Sequence, residues 1–178
     1  MISGPPGSGK TTLAHELART IGCPAICRDE IKEGMVHATP GFVAGPTDEL
    51  SLRTLPTFFG VLRLLLRAGV TTVAEAAFQD RLWRPGLEPL RSLAQIRVVH
   101  CTVNAEVALR RTLERSEGNP LRLAHAGPGS QDAADYLLRH QVFDRVSVDA
   151  PWMEVDTTDG YRPGIDAIIA FINDRAGS

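Results

Sequence analysis

Gly4, Gly7, Ser8, Gly9, Lys10 and Thr11 stand at a spacing that can hold a phosphate. The segment Gly4-Pro5-Pro6-Gly7-Ser8-Gly9-Lys10-Thr11 fits G-x-x-x-x-G-K-[ST] at every required position. Glycines let successive backbone N–H groups turn inward onto phosphate oxygens. Lys10 adds positive charge beside the outer phosphates, and Thr11 offers a hydroxyl to Mg²⁺. A helix starting here also directs its N-terminal dipole at the anion, with Thr12 next in line. A chance glycine-rich turn is the competing reading. Leu13, Leu17 and Ile21, with Ala14 and Ala18, argue against it. They form an apolar stripe at helical spacing, and Gly22 can end that helix.

Other residues could act on a bound phosphate. Asp29 follows a short apolar run and can accept a proton from an attacking hydroxyl. Lys32, on the same helical face, could add charge near the transferred group. An Asp helix cap followed by a solvated Lys explains the pair equally well. Glu75 closes a second apolar run, where an acid could act on Mg²⁺, Lys32 or a substrate hydroxyl. Arg111 and Arg115 project from one helical face, and an arginine facing a transferring phosphoryl group is worth ~10³–10⁵ in rate. Arg115 is the favoured catalytic arginine and Arg111 the second, with a merely solvated face shared with Arg110 as the lesser reading. Arg122 is expected as a closing contact on the nucleotide, and His125 as a surface histidine. Asp156 and Thr157 can border the nucleotide base or form only a polar turn.

These residues need a frame, and the chain supplies alternating strands and helices. Met1 to Ser3 reads as a first strand, short enough to leave room for a natural start upstream of Met1. A helix follows over about Lys10 to Ile21, then a strand from Pro24 to Cys27 and a brief helix. Gly34 to Pro46 reads as a loop. A long helix starts near Thr47, with Leu52, Leu55, Phe59, Leu62 and Leu66 in period. Pro56 should kink it or mark its true start, and Gly69 should end it. Val70 to Ala74 is the third strand. Pro85 to Ala94 fits a helix with Pro85 in its first turn. Ile96 to Val103 is the fourth strand, and Asn104 caps the next helix. Ser130 is expected to cap a helix reaching about Val142. Met153 to Asp156 is the fifth strand, and Pro163 opens a last helix lined by Ile165, Ile168, Ile169 and Ile172. Trp83 and Trp152 read as packing residues. The pattern predicts an α/β fold, a parallel sheet with helices on both faces and a ligand at the carboxyl ends of its strands.

The 178 residues suffice for one domain with a real core, and 1–178 is read as one. A net charge of −2 gives no strong pull toward nucleic acid. Cys23, Cys27 and Cys101 are odd in number and lack zinc-finger spacing, so reduced thiols in a cytoplasmic protein are expected. No apolar run is long enough to span a bilayer, and without a secretory h-region ahead of the phosphate loop no secretory leader is expected.

Gly4 to Thr11, Arg28-Asp29-Glu30-Ile31-Lys32, Val73-Ala74-Glu75-Ala76-Ala77-Phe78, Arg111 to Arg115 and Val155-Asp156-Thr157-Thr158 together resemble one group of AAA-type P-loop kinases. The group contains chloramphenicol phosphotransferase, zeta toxins and the kinase domain of phage polynucleotide kinase. The resemblance is carried by motifs and spans most of the chain. It implies a three-layer P-loop NTPase fold with a parallel five-stranded sheet in the order 2-3-1-4-5 and a small lid, here about 116–130. It implies ATP and Mg²⁺ as cofactors, Asp29 as general base and Arg115 as the arginine beside the lid. This chain departs from it in having Lys32 where polynucleotide kinases carry an arginine, and Glu75 where Asp is usual. The acceptor region, about 29–60, holds Met35, Val36, Phe42 and Val43 with few basic residues. A small, partly apolar hydroxyl compound is therefore the expected acceptor. A nucleoside, nucleotide or 5′-OH polynucleotide is the alternative, and a nucleotide-binding ATPase module without kinase activity a second. A guanine-reading Asn-Lys-x-Asp motif and an ABC-type signature are both absent from the sequence.

Overall fold

The computed structural model describes residues 1–45, 48–116 and 133–174. Its first helix shows why the order begins where it does. Gly9 takes a left-handed φ of 68° and caps α1 (Lys10–Ile21), a conformation that costs glycine little. Leu13, Ala14, Leu17 and Ala18 bury one face. Gly22, again left-handed, ends the helix by donating its N–H to Ala18 O at 2.9 Å.

The strands are β1 (Ile2–Ser3), β2 (Ala25–Cys27), β3 (Val73–Glu75), β4 (Val98–Thr102) and β5 (Trp152–Asp156). They form a five-stranded sheet in the order β2-β3-β1-β4-β5, with every paired neighbour parallel. This is the α/β, P-loop NTPase-like architecture and strand order expected from the sequence. The remaining helices are α2 (Arg28–His37), α3 (Glu49–Arg67), α4 (Asp80–Leu87), α5 (Ala105–Ser116), α6 (Ala133–Gln141) and, after the last strand, α7 (Ile165–Asn173), with a 3₁₀ turn over Glu88–Ser92. One core joins the sheet to α1 and α7 through Leu13, Leu17, Val99, Val155 and Ile168. The other joins it to α3 and α4 through Phe58, Phe59, Phe78, Trp83 and Leu87. Both faces of the sheet are thus covered, as a parallel sheet requires. Among the described residues no helix is long and apolar enough to cross a membrane.

Several boundaries differ from expectation. Helix α2 begins at Arg28 and continues to His37, so Gly34 to His37 are helical rather than loop. Pro56 neither starts nor ends α3. Its missing N–H leaves the carbonyl of Leu52 without its helical partner, and Leu52 is exposed, so water can serve it. Buried Leu50, Thr54, Phe58 and Leu62 meanwhile hold one stripe on both sides of the proline. Pro85 lies inside α4 rather than in its first turn, because burial of Trp83 and Leu87 moves the helix start upstream to Asp80. Val70 to Thr72 precede β3 without joining it. Pro163 lies ahead of α7, whose cap is Gly164, with its carbonyl accepting from the N–H groups of Ala167 and Ile168. Trp83 is buried as expected, whereas Trp152 is exposed beside the Arg145 guanidinium. The expected cap at Ser130 lies outside the described residues, and the helix expected from near Thr47 begins at Glu49, capped by Asp48.

Candidate active site

The loop between β1 and α1 has a conformation that only glycine tolerates at two contacts. Gly4 has φ +151°, and a Cβ there would lie 2.5 Å from Cys101 O. Gly7 has φ +76°, and its Cβ would lie 2.5 Å from Ala108 O. Both obstacles are backbone, which cannot step aside. Thr157 fixes the far side of the loop, since its hydroxyl lies 2.8 Å from Ser8 O and 3.0 Å from Thr102 O. Ser8 Oγ is buried and lacks a hydrogen-bond partner among the described residues.

Lys10 is buried and donates to Pro5 O at 3.3 Å, with Glu75 Oε1 at 3.8 Å. Thr11 Oγ1 donates to Glu75 Oε2 at 3.2 Å. Glu75 is 1% exposed, and burial pushes its carboxyl above the ordinary range against the opposing pull of Lys10. A hydroxyl and a carboxylate are hard oxygen donors, which fits Mg²⁺ rather than a softer cation.

Asp29 lies in the first turn of α2, beside the carboxyl end of β2, and accepts from Arg28 Nη1 at 2.9 Å. Its charge helps raise the carboxyl of Glu75, so the two acids share one electrostatic neighbourhood. Lys32 is placed differently from a free cation. It is 3% exposed and donates to Asp48 Oδ2 at 2.8 Å. Asp48 also caps α3, accepting from the N–H of Ser51 at 2.7 Å and that of Gly45 at 3.4 Å. Burial raises the Asp48 carboxyl, but the hydrogen bonds from Lys32, Ser51 and Gly45 outweigh it and hold the group at about 2. Phe42 lies near the same ammonium, at 5.9 Å from the ring centroid.

On the other side of the loop, Arg111 donates to Thr157 O at 2.8 Å and Thr158 O at 3.1 Å. Arg111 and Arg115 line a cavity of about 280 Å³ with Gly9, Thr12, Thr157, Gly160 and Tyr161. Asp156 is turned into its own loop, accepting from the Thr158 N–H at 2.8 Å, and its carboxyl is lowered chiefly by the Thr158 hydrogen bonds. The side chain of Thr157 is therefore committed to backbone carbonyls, and Asp156 to a turn. A larger cavity of about 430 Å³ lies near Arg91, Arg97 and Asp149, where β4 and β5 begin. That is the wrong end of the sheet for the phosphate loop. Arg122, His125 and the lid beyond Ser116 lie outside the described residues.

Sequence reasoning missed Asp48, Tyr136, Tyr161 and His140. Asp48 had a legible signal, an acid three residues before Ser51 at a helix start. Tyr136 donates to Pro6 O at 3.1 Å, which sets α6 against the phosphate loop. His140 Nε2 is buried without a partner among the described residues, and burial and then the charge of Lys10 lower its pKa. Nothing in the local sequence marks these three.

Known structures share this fold. A Chloroflexus aurantiacus J-10-fl protein provisionally named a kinase superposes with a TM-score of 0.80 at 20% identity, covering 96% of this chain and 94% of that one. Shikimate kinase from Acinetobacter baumannii, in complex with shikimate, gives 0.59 at 24% identity over 96% and 90%. The Mycobacterium tuberculosis APS kinase, in complex with AMPPNP and APS, gives 0.64 at 14% identity over 97% and 95%. At these identities the likeness is one of fold. No curated protein sequence matches the chain. Residues 1–126 match the AAA domain family. With that match covering most of its length, and with the phosphate loop and strand order in place, the chain belongs to the AAA domain family.

Proposed function

We propose that this protein transfers the γ-phosphate of ATP to a hydroxyl group of a small molecule. One observation carries the reading. The phosphate loop, Lys10, the Thr11–Glu75 pair and Asp29 converge at the carboxyl ends of adjacent strands β1, β3 and β2. Fold neighbours that are named shikimate kinase and APS kinase support a small-molecule acceptor.

In this reading the backbone N–H groups of Gly7, Ser8 and Gly9 bind the phosphates with Lys10, Thr11 and Thr12. Mg²⁺ would be held by Thr11, with Glu75 behind it, and would neutralise charge on the β- and γ-phosphates. The acceptor O–H attacks the γ-phosphorus, the bond to the bridging oxygen breaks, and ADP leaves. Asp29 takes the hydroxyl proton. Arg115 and Arg111, beside the loop, offset charge on the transferring group and the nucleotide. Lys32 anchors α2 to α3 through Asp48, and its charge is already balanced there. Asp156 and Thr157 shape the nucleotide side mainly through backbone. Half-exposed Met35 and Val36, with Phe42 and exposed Val43, leave the acceptor side partly apolar.

Labelled ATP with Mg²⁺ and a panel of hydroxyl acceptors tests the proposal. The panel holds chloramphenicol-like and aminoglycoside antibiotics, sugars, nucleosides and a 5′-OH oligonucleotide. Asp29→Asn should keep ATP affinity and lose at least ~10²-fold in transfer. A variant as fast as wild type removes Asp29 as the base. ATP binding with no product on any acceptor favours a binding module instead.

A further inference from the structure

Behind the phosphate loop, three elements bring together groups that the proposed transfer does not use. His15 comes from α1, Cys27 from the end of β2 and Glu30 from the first turn of α2. His15 Nε2 lies 2.5 Å from Glu30 Oε1 and 3.8 Å from Cys27 Sγ. One ligand atom from each residue falls within 4.8 Å of the other two.

We infer that His15, Cys27 and Glu30 form a site for a thiophilic divalent cation of the zinc class, separate from the Mg²⁺ position at Thr11. The donor set is the first argument. Sulfur, imidazole nitrogen and one carboxylate oxygen suit Zn²⁺ or Co²⁺ and suit Mg²⁺ poorly. Geometry is the second. Metal–sulfur and metal–nitrogen bonds of ~2.3 and ~2.0 Å at a tetrahedral angle need a sulfur–nitrogen separation near 3.6 Å. The observed 3.8 Å nearly meets this without movement. The nitrogen–oxygen pair must open from 2.5 Å to roughly 3.3 Å. His15 and Glu30 are 44% and 45% exposed, so both side chains are free to make that adjustment, and the cation can enter between them. Cys27, 2% exposed, is the fixed and buried ligand beneath.

On binding, the metal–sulfur bond forms as the thiol proton passes to solvent. His15 coordinates as neutral imidazole, and water fills the fourth position. His15 is four residues, ~6 Å, beyond Thr11 along α1, so the ion would join α1 to the β2–α2 corner that carries Asp29.

The test uses the full, reduced, metal-free chain titrated with Co²⁺. Binding should produce a thiolate-to-cobalt charge-transfer band in the near ultraviolet, and Zn²⁺ should displace it. His15→Gln and Glu30→Gln, both at half-exposed positions, should each weaken Co²⁺ affinity at least ~10-fold. Cys27→Ser should abolish the band, and Cys23→Ser should leave it intact. Excess Mg²⁺ with nucleotide should not displace the cobalt. A missing band, unchanged affinity in His15→Gln, or release of cobalt by Mg²⁺ and nucleotide would overturn the assignment.

Discussion

At the scale of single residues, the most consequential contact is one that local pattern cannot show. Lys32 and Asp48 are 16 positions apart and almost wholly buried, with side-chain exposures of 4% and 7%. A buried ion pair need not add net stability, but losing one partner strands the other charge. Asp48→Asn keeps an acceptor for the α3 cap and removes only the charge. It should cost about 3 kcal/mol, the low end for a broken buried pair, because the amide oxygen still accepts from Lys32. The acid limb gives an independent check. The folded carboxyl is held at about 2 against an ordinary 3.8, so its contribution is complete above the ordinary value and fades as pH falls towards 2. Wild type should therefore lose on the order of 2 kcal/mol across that window, and Asp48→Asn should lack this component. Urea melts at neutral pH and through the acid range measure both. Equal stability of the two proteins at neutral pH would mean the pair is not load-sharing between α2 and α3. Lys10, Thr11 and Glu75 were legible beforehand because each belongs to a short motif or ends an apolar run. Lys32 was legible as a candidate, but its partner was not.

Among elements, helices were read well where periodicity and caps agree and poorly where a proline contradicts packing. Helix α1 has its stripe, its left-handed glycine at each end and its expected bounds. Helices α3 and α4 each run through a proline, because the aromatic cluster they share outweighs the lost hydrogen bond. That cluster also explains Gly86. A Cβ there would lie 2.3 Å from Phe59 Cε2 and 2.4 Å from Cζ. The ring cannot swing away easily, since Phe58 and Trp83 hold it at centroid distances of 5.6 and 5.8 Å. Gly86→Ala gains about 1 kcal/mol of helix propensity and incurs about 1–3 kcal/mol of overpacking. Thermal and urea melts should show a net loss of about 1–2 kcal/mol, the difference of those terms towards their upper end. A more stable variant would show that α4 and α3 can separate without penalty.

Across the whole molecule, the sheet joins elements far apart in sequence at one edge of the phosphate loop. Alternating strands and helices made the parallel architecture legible, and the sheet order came from the resemblance, since alternation alone does not order strands. What neither could supply is how β5 reaches the loop. Thr157 is 149 positions from Ser8, yet its hydroxyl bonds Ser8 O at 2.8 Å in a buried setting. Sequence reading left Thr157 either bordering the nucleotide or in a polar turn, because a hydroxyl after a strand looks available until the carbonyls around it are known. Thr157→Val tests the difference. The change keeps the shape of the side chain and removes the hydroxyl, leaving Ser8 O without this partner. Thr102 O keeps the Thr157 N–H, which approaches to 2.9 Å, so the loss concentrates on the phosphate loop. Leaving a buried carbonyl short of its donor should cost about 1–3 kcal/mol of stability. Nucleotide affinity should fall with it, because part of the binding energy must then re-form the loop. A calorimetric titration with ATP alongside a urea melt separates the cases. Lower stability with weaker binding supports the brace. Weaker binding at unchanged stability would instead make the Thr157 hydroxyl a direct contact of the nucleotide.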